Sequence, residues 1–279
     1  MADVKNQTGT QFPYMHGFNE HEQNRLRHQA EFLEYAIYQD IDFSTCPQIL
    51  EVGCGVGAQT EILLRRFPKI SITGIDMSDA QLATCKKFLA SLPIAKDRFQ
   101  VMKMDAQAMD FEGGKFDGAF LCWILEHVPE PARVLSEVRR VLKPGGRVYV
   151  TEVMNSTFFL DPYSPNVWKY WMGFNDYQYD GAGDPFIGAK LGNLLMAAGF
   201  RRVQTNIKTM HLDNREPEKR RQTIAYWRDL LLSASEQLIE AKYTTREVVD
   251  GMTKELQAIE KNPNAVFMYS FMQASAVTE

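Results

Sequence analysis

Apolar and polar positions change period several times along the chain, and the changes divide it into elements. From Glu20 to Gln39, Leu26, Ala30, Leu33 and Ile37 recur at helical spacing, which predicts an amphipathic helix ahead of the first strand. Short apolar runs then alternate with amphipathic ones. QILEV reads as a strand and AQTEILLRRF as a helix. SITGID reads as a second strand, after which Ser78 and Gln81 form a capping box for the helix DAQLATCKKFLASL. RFQVMKMDA and FDGAFLCW read as strands three and four, PARVLSEVRRVL as a helix stopped by Pro144-Gly145-Gly146, and RVYVTEV as strand five. Alternation of this kind predicts an α/β fold: a mostly parallel sheet with helices on both faces and ligands at the carboxyl ends of the strands.

The pattern loosens in the last third. Phe158 to Pro185 sets many aromatic residues among prolines and glycines, a composition unlike a solvated loop. Tyr163, Trp168, Tyr170, Trp171 and Phe174 read either as a lid over a site or as the core of a helical cover. FIGAKLGNLLMAA reads as a helix ending at Gly199, and RRVQTNIKTMHL has strand character. Ile224, Trp227, Leu231 and Leu238 share one face of a mostly helical stretch, Thr244 with Glu247 caps a further helix, and AVFMYSFMQASAV is a late strand.

Composition narrows the partners. With 279 residues, 45% of them hydrophobic, and a net charge of −4, the chain lacks the cationic excess that a nucleic-acid backbone demands. No leader and no apolar run of membrane-spanning length is evident, so the expectation is a cytoplasmic protein with no membrane partner, monomeric or homodimeric. Cys46, Cys54, Cys85 and Cys122 form no C-x-x-C pair and read as free buried thiols. His21-Glu22 lacks the second histidine of a zinc motif, and no metal is expected. Asn155-Ser-Thr matches a glycosylation acceptor only formally.

The stretch ILEVGCGVGA concentrates the chemistry. Gly53, Gly55 and Gly57 allow a tight turn that brings backbone N–H groups near a ligand, beside the positive end of the next helix. Gly53, Gly55 and Ala58 also satisfy the dinucleotide fingerprint, with Asp76 at roughly the ~20-residue interval of a ribose acceptor. An NAD(P)-dependent oxidoreductase is therefore an alternative reading, as is a non-catalytic binding module. Glu51 stands near where a pyrophosphate would lie, and Asp105 adds a second carboxylate at the same edge; both favour a cationic or zwitterionic ligand.

The ordered set ILEVGCGVGAQT, GIDMS, MDAQAM, FDGAFLCWILEHV and VLKPGGRVYVTEV resembles the class I S-adenosylmethionine-dependent methyltransferases, especially the branch with small-molecule acceptors, from about Ile49 to Val153. The resemblance implies a Rossmann-like, seven-stranded, mostly parallel sheet whose last strand runs antiparallel beside strand five, with an N-terminal helical cap and a C-terminal helical insertion. It implies one domain: cap 1–45, cofactor-binding core 46–154, aromatic lid segment 155–185, helical insertion 213–264 and final strand 265–279. S-adenosylmethionine is the implied cofactor. Glu51, Gly53 and Gly55 would hold its methionine part, Asp76 its ribose hydroxyls, Met77 the adenine face, Asp105 the adenine amino group and the Ala106 N–H a ring nitrogen. Cys122 and Trp123 would flank the methyl group. Tyr14, from the cap, would cover the cofactor, with His16 and Gln29 as weaker candidates. The implied reaction is methyl transfer to a nitrogen or oxygen of a metabolite or natural product, driven mainly by proximity and desolvation. His127 is the candidate base, with a packing role as its alternative; Glu152 would neutralise a substrate amine or else sit in solvent.

Overall fold

The structure, a computed structural model, describes residues 20–279. Helix α1 (Glu20–Tyr38) leads into β1 (Gln48–Val52), α2 (Ala58–Arg66), β2 (Ser71–Asp76), α3 (Asp79–Ala90), β3 (Phe99–Lys103), β4 (Phe116–Cys122), α4 (Pro131–Val141) and β5 (Leu142–Val153). Then come β6 (Phe159–Asp161), α5 (Pro165–Asp180), α6 (Leu191–Ala197), β7 (Arg201–Leu212), α7 (Pro217–Ser233), α8 (Ser235–Glu240), α9 (Arg246–Lys261) and β8 (Val266–Val277). The strands form one sheet in the order β3-β2-β1-β4-β5-β8-β6, with β7 on the opposite edge of β8. β1 to β5 are parallel, and β8 runs antiparallel to β5, β6 and β7, as expected for the late strand.

The sheet therefore has eight strands where seven were expected. The extra one, β6, comes from Phe-Leu-Asp in the aromatic segment and pairs with Met268, Phe267 and Val266. Two further differences are local. β5 begins at Leu142 instead of Arg147, so the proline and glycines lie inside an irregular strand start, and the pairing with β4 shifts register between Phe116 and Gly118. The cap of α9 is Thr245, whose hydroxyl accepts from Val248 N–H at 3.3 Å, and not Thr244.

Because strand side chains alternate, the sheet divides the core in two. Ile49, Phe120 and Tyr149 join one cluster with α1, α2 and α3; Leu50, Leu121 and Val150 join the other with α4 and α6. The segment 213–264 is not an appendage. Ile224, Trp227 and Leu231 on α7, and Met252 and Leu256 on α9, belong to the first cluster together with Tyr170, Trp171 and Phe174 of α5. Phe158 stacks on Trp227, with ring centroids 5.4 Å apart and planes at 8°, joining the start of the aromatic segment to the insertion. Glu255 of α9 accepts from the N–H groups of Asn166 (2.9 Å) and Val167 (3.0 Å), satisfying donors at the start of α5 that Ser164 does not cap. These helices thus form a roof over the carboxyl ends of the central strands. No disulfide links the four cysteines, and among the described residues no helix is long and apolar enough to cross a membrane.

Candidate active site

The chain leaves β1 at Val52 and enters α2 at Ala58 through a turn in which Gly53, Gly55 and Gly57 all have left-handed backbone angles (φ 73°, 49° and 81°). Their reasons differ. A Cβ on Gly53 would lie 2.9 Å from Ile124 Cδ1 and one on Gly57 2.7 Å from Cys85 Sγ, so both positions are closed by packing. A Cβ on Gly55 would meet nothing within 4 Å; that residue faces open space. The N–H groups of Gly53 and Cys54 both donate to Ile75 O (2.8 and 3.0 Å), which ties the turn to the end of β2. There Asp76 is set: Gly55 N–H donates to its Oδ2 and Ser78 N–H to its Oδ1, each at 2.9 Å. Burial pushes its pKa up, opposed by these backbone donors.

A cavity of about 760 Å³ opens at this turn. Gly53, Gly55, Asp76 and Met77 line its first wall, and Asp105 and Ala106, just beyond β3, its second. Asp105 Oδ1 accepts from Gln107 N–H at 2.8 Å, which fixes the carboxylate at the rim. Cys122, Trp123 and His127 line the floor after β4. Trp123 has a left-handed backbone (φ 55°), a conformation uncommon outside glycine and concentrated at ligand sites, and its ring stands edge-on to Phe271, with centroids 6.1 Å apart. His127 Nε2 is 3.6 Å from Glu126 Oε1.

Two expected site acids lie elsewhere. Glu51 shares the sheet face of Ile49, beneath α2, where it is 2% exposed and accepts from Thr60 Oγ1 at 2.5 Å; it does not line the cavity. Burial raises its pKa to about 8. Glu152 is neither a rim acid facing a substrate nor a solvated one. It is fully buried and accepts from the backbone N–H groups of Ile124 (3.0 Å), Leu125 (2.8 Å) and Glu126 (3.3 Å), so it orders the turn after β4. Burial, with the neighbouring Glu126 charge, holds its pKa well above the usual range. Tyr14 and His16 lie outside the described residues; Gln29 lines the cavity.

The cavity continues beneath the helical roof. From the aromatic segment, Trp171 and Phe174 reach it, while Tyr170 is buried with its hydroxyl on Leu231 O, Trp168 packs on Phe158 and Tyr163 is exposed. Trp171 and Phe174 line the cavity and at the same time belong to the buried cluster, as the reading of the segment as the core of a helical cover expects. Sequence reasoning missed Glu126, Gln178 and Tyr226, although a signal existed: Trp171, Phe174 and Gln178 on α5, and Thr223, Tyr226, Trp227 and Leu230 on α7, recur at one-face helical spacing. Arg25 spans the two covers. Its Nε and Nη2 bind both carboxylate oxygens of Glu22 (2.7 and 2.6 Å), and its Nη1 donates to the Tyr226 hydroxyl at 2.9 Å. Asn155, the formal glycosylation site, is buried: it accepts from the Tyr269 hydroxyl and donates to Asn175 Oδ1, both at 2.7 Å.

A parallel sheet with a glycine turn after β1, acids at the end of β2 and just beyond β3, and a ligand-sized cavity at its switch point is the arrangement by which open α/β sheets bind nucleotide cofactors. Comparison with known proteins says which. Residues 50–150 match the family model described as a methyltransferase domain, and this match, with fold neighbours solved in complex with S-adenosylmethionine or S-adenosylhomocysteine, supports S-adenosylmethionine as the cofactor. Among curated relatives, the chain is 36% identical over 105 residues to a ubiquinone biosynthesis O-methyltransferase of Pseudomonas paraeruginosa, covering 38% of this chain and 44% of that protein. It is 31% identical over 115 residues to a malonyl-acyl-carrier protein O-methyltransferase of a Paenibacillus species, covering 41% and 42%. The match thus spans less than half the length of these relatives. Two solved structures share the fold over most of this chain. A Haemonchus contortus phosphoethanolamine N-methyltransferase 2 has a TM-score of 0.59 at 16% identity, covering 97% of this chain and 61% of that one. The cyclase SpnF has 0.54 at 22%, covering 90% and 81%.

Proposed function

We propose that the protein transfers a methyl group from S-adenosylmethionine to a nitrogen or oxygen atom of a small molecule held in the chamber beneath α5 and α7. The observation that carries this reading is the continuity of the cavity: one space runs from Gly55, Asp76 and Asp105 past Cys122 and Trp123 to Trp171 and Trp227. The residues at its first end fit the cofactor. The vacant space over Gly55 admits a ligand against backbone, and the Asp76 carboxylate, oriented by two backbone donors, keeps lone pairs for a ribose diol. Asp105 would accept from the adenine amino group, Ala106 N–H would face a ring nitrogen, and Met77 would cover the ring.

The cofactor supplies a methyl carbon already activated by the adjacent sulfonium charge. What the chain would contribute is alignment and dryness: the aromatic roof would keep water from the bound acceptor, and Trp123 and Cys122, which line the cavity, would bound one side of the approach. His127, which lines the cavity beside Glu126, would take a proton from the acceptor. The ubiquinone biosynthesis O-methyltransferase named above supports a small acceptor. Calorimetric titration tests the reading. Saturable heat is expected from both S-adenosylmethionine and S-adenosylhomocysteine, with Asp76→Ala weakening each by ~1.5 to 3 kcal/mol through loss of a charged hydrogen-bond acceptor. Absence of heat from either compound, or unchanged affinity in the variant, overturns it.

A further inference from the structure

Two buried polar atoms among the residues of the chamber have no hydrogen-bond partner among the described residues. Gln178, 6% exposed, donates through Nε2 to Glu126 O (3.2 Å) and Glu126 Oε2 (3.0 Å), which fixes the orientation of the amide, yet its Oε1 accepts from nothing. Trp227, 4% exposed, has an indole N–H with no acceptor. Both residues line the cavity. Buried groups of this kind are rare in native proteins and are most often satisfied by a ligand or an ordered water.

The charges nearby give the unpaired groups a sign. Arg25, the arginine of the chamber wall, is neutralised by its two-bond ion pair with Glu22. Glu126 is buried and lines the cavity, and no lysine or arginine of the described residues pairs with it; its ionic neighbour is the His127 ring. The Glu126 carboxylate lines the cavity, and Gln178 Oε1, on the amide hydrogen-bonded to it, is an enclosed acceptor with no partner among the described residues; Trp171, Phe174 and Trp227 line the same cavity. A hydroxyl brings a single donor to such a place. An alkylammonium brings three and a positive charge, which both carboxylate and ring faces attract.

We infer that the acceptor is an amine with an aromatic or bulky apolar body, its ammonium bound between Glu126 and Gln178 Oε1 and its body against Trp171, Phe174 and Trp227. The Trp227 N–H takes a hydrogen-bond acceptor carried on that body where one is present. This assignment rests on the methyl-transfer reading, since it names the ligand of the same cavity. The test is calorimetry with three probes of matched ring and chain, 2-phenylethylamine, 2-phenylethanol and 3-phenylpropionate, each with and without saturating S-adenosylhomocysteine. The amine is expected to bind roughly tenfold more tightly than the alcohol, about 1.4 kcal/mol, and the acid most weakly. Glu126→Gln is expected to abolish the preference for the amine while S-adenosylhomocysteine still binds. Equal affinity for amine and alcohol, no binding of the amine, or a preference that survives in Glu126→Gln overturns the assignment. The comparison within the wild-type protein stands even where that variant fails to fold. Lack of heat from S-adenosylhomocysteine strikes the methyl-transfer reading instead, and the probe series without it still decides the preference for amines.

Discussion

At the scale of the residue, the acids show how far side-chain identity runs ahead of side-chain placement. The sequence offers four carboxylates at or near strand ends as site candidates, yet Asp76 and Asp105 line the cavity while Glu51 and Glu152 are buried away from its lining. The alternation of strand side chains decides this, and its phase depends on which residue starts the strand, a detail that composition and spacing leave open. Glu51 makes the difference measurable. Its pKa rises from an ordinary 4.5 to about 8 in the folded protein, so the folded state holds this proton more tightly than the unfolded one between those values. The resulting contribution to stability is fully present below pH ~4.5 and is lost as pH rises to about 8, on the order of 5 kcal/mol in all. Glu51→Gln is therefore expected to be more stable than the wild type in chemical denaturation at pH 8, with the gap closing toward pH 5. Parallel stability curves for the two proteins would mean that the buried carboxyl is not the titrating group.

At the scale of the element, the turn between β1 and α2 divides its labour among three glycines. Gly53 and Gly57 are closed by Ile124 and Cys85, so their lack of a side chain serves packing; of the three, only Gly55 has open space where a side chain would stand. Gly57→Ala is expected to destabilise the fold by ~1 to 3 kcal/mol, from overpacking against Cys85 in a left-handed backbone. Gly55→Ala is expected to cost only the backbone strain, ~1 kcal/mol, but to weaken S-adenosylhomocysteine by at least roughly tenfold, because its methyl group enters the space over the turn. Thermal melts and titration of both variants separate the two roles, and wild-type affinity in Gly55→Ala would remove the turn from the cofactor site. Most elements of this half were legible, because continuous apolar strands and capped helices follow local rules. β6 was not: three residues between aromatic neighbours carry no period, and they become a strand only because β8 offers an edge.

At the scale of the molecule, the sheet supplies a general cofactor rim, and the roof supplies what is particular to this chain. The roof is built from segments that lie far apart in sequence, α1, α5 and α7, joined through Arg25 and Tyr226 and through the Phe158, Trp171 and Trp227 cluster. Such contacts are set by tertiary packing, which is why the helices of the insertion could be read from their periodicity while the chamber they close could not. The space is also why fold likeness alone leaves the acceptor open, for a single fold serves many reactions. The most direct measurement is a crystal structure with S-adenosylhomocysteine. Electron density is expected with the ribose on Asp76, the adenine between Met77 and Ala106, and the sulfur facing the chamber beside Cys122 and Trp123. A rim left vacant at saturating ligand, or a ligand bound with its ribose away from Asp76, contradicts the central claim that these strand ends form a methyl-donor site.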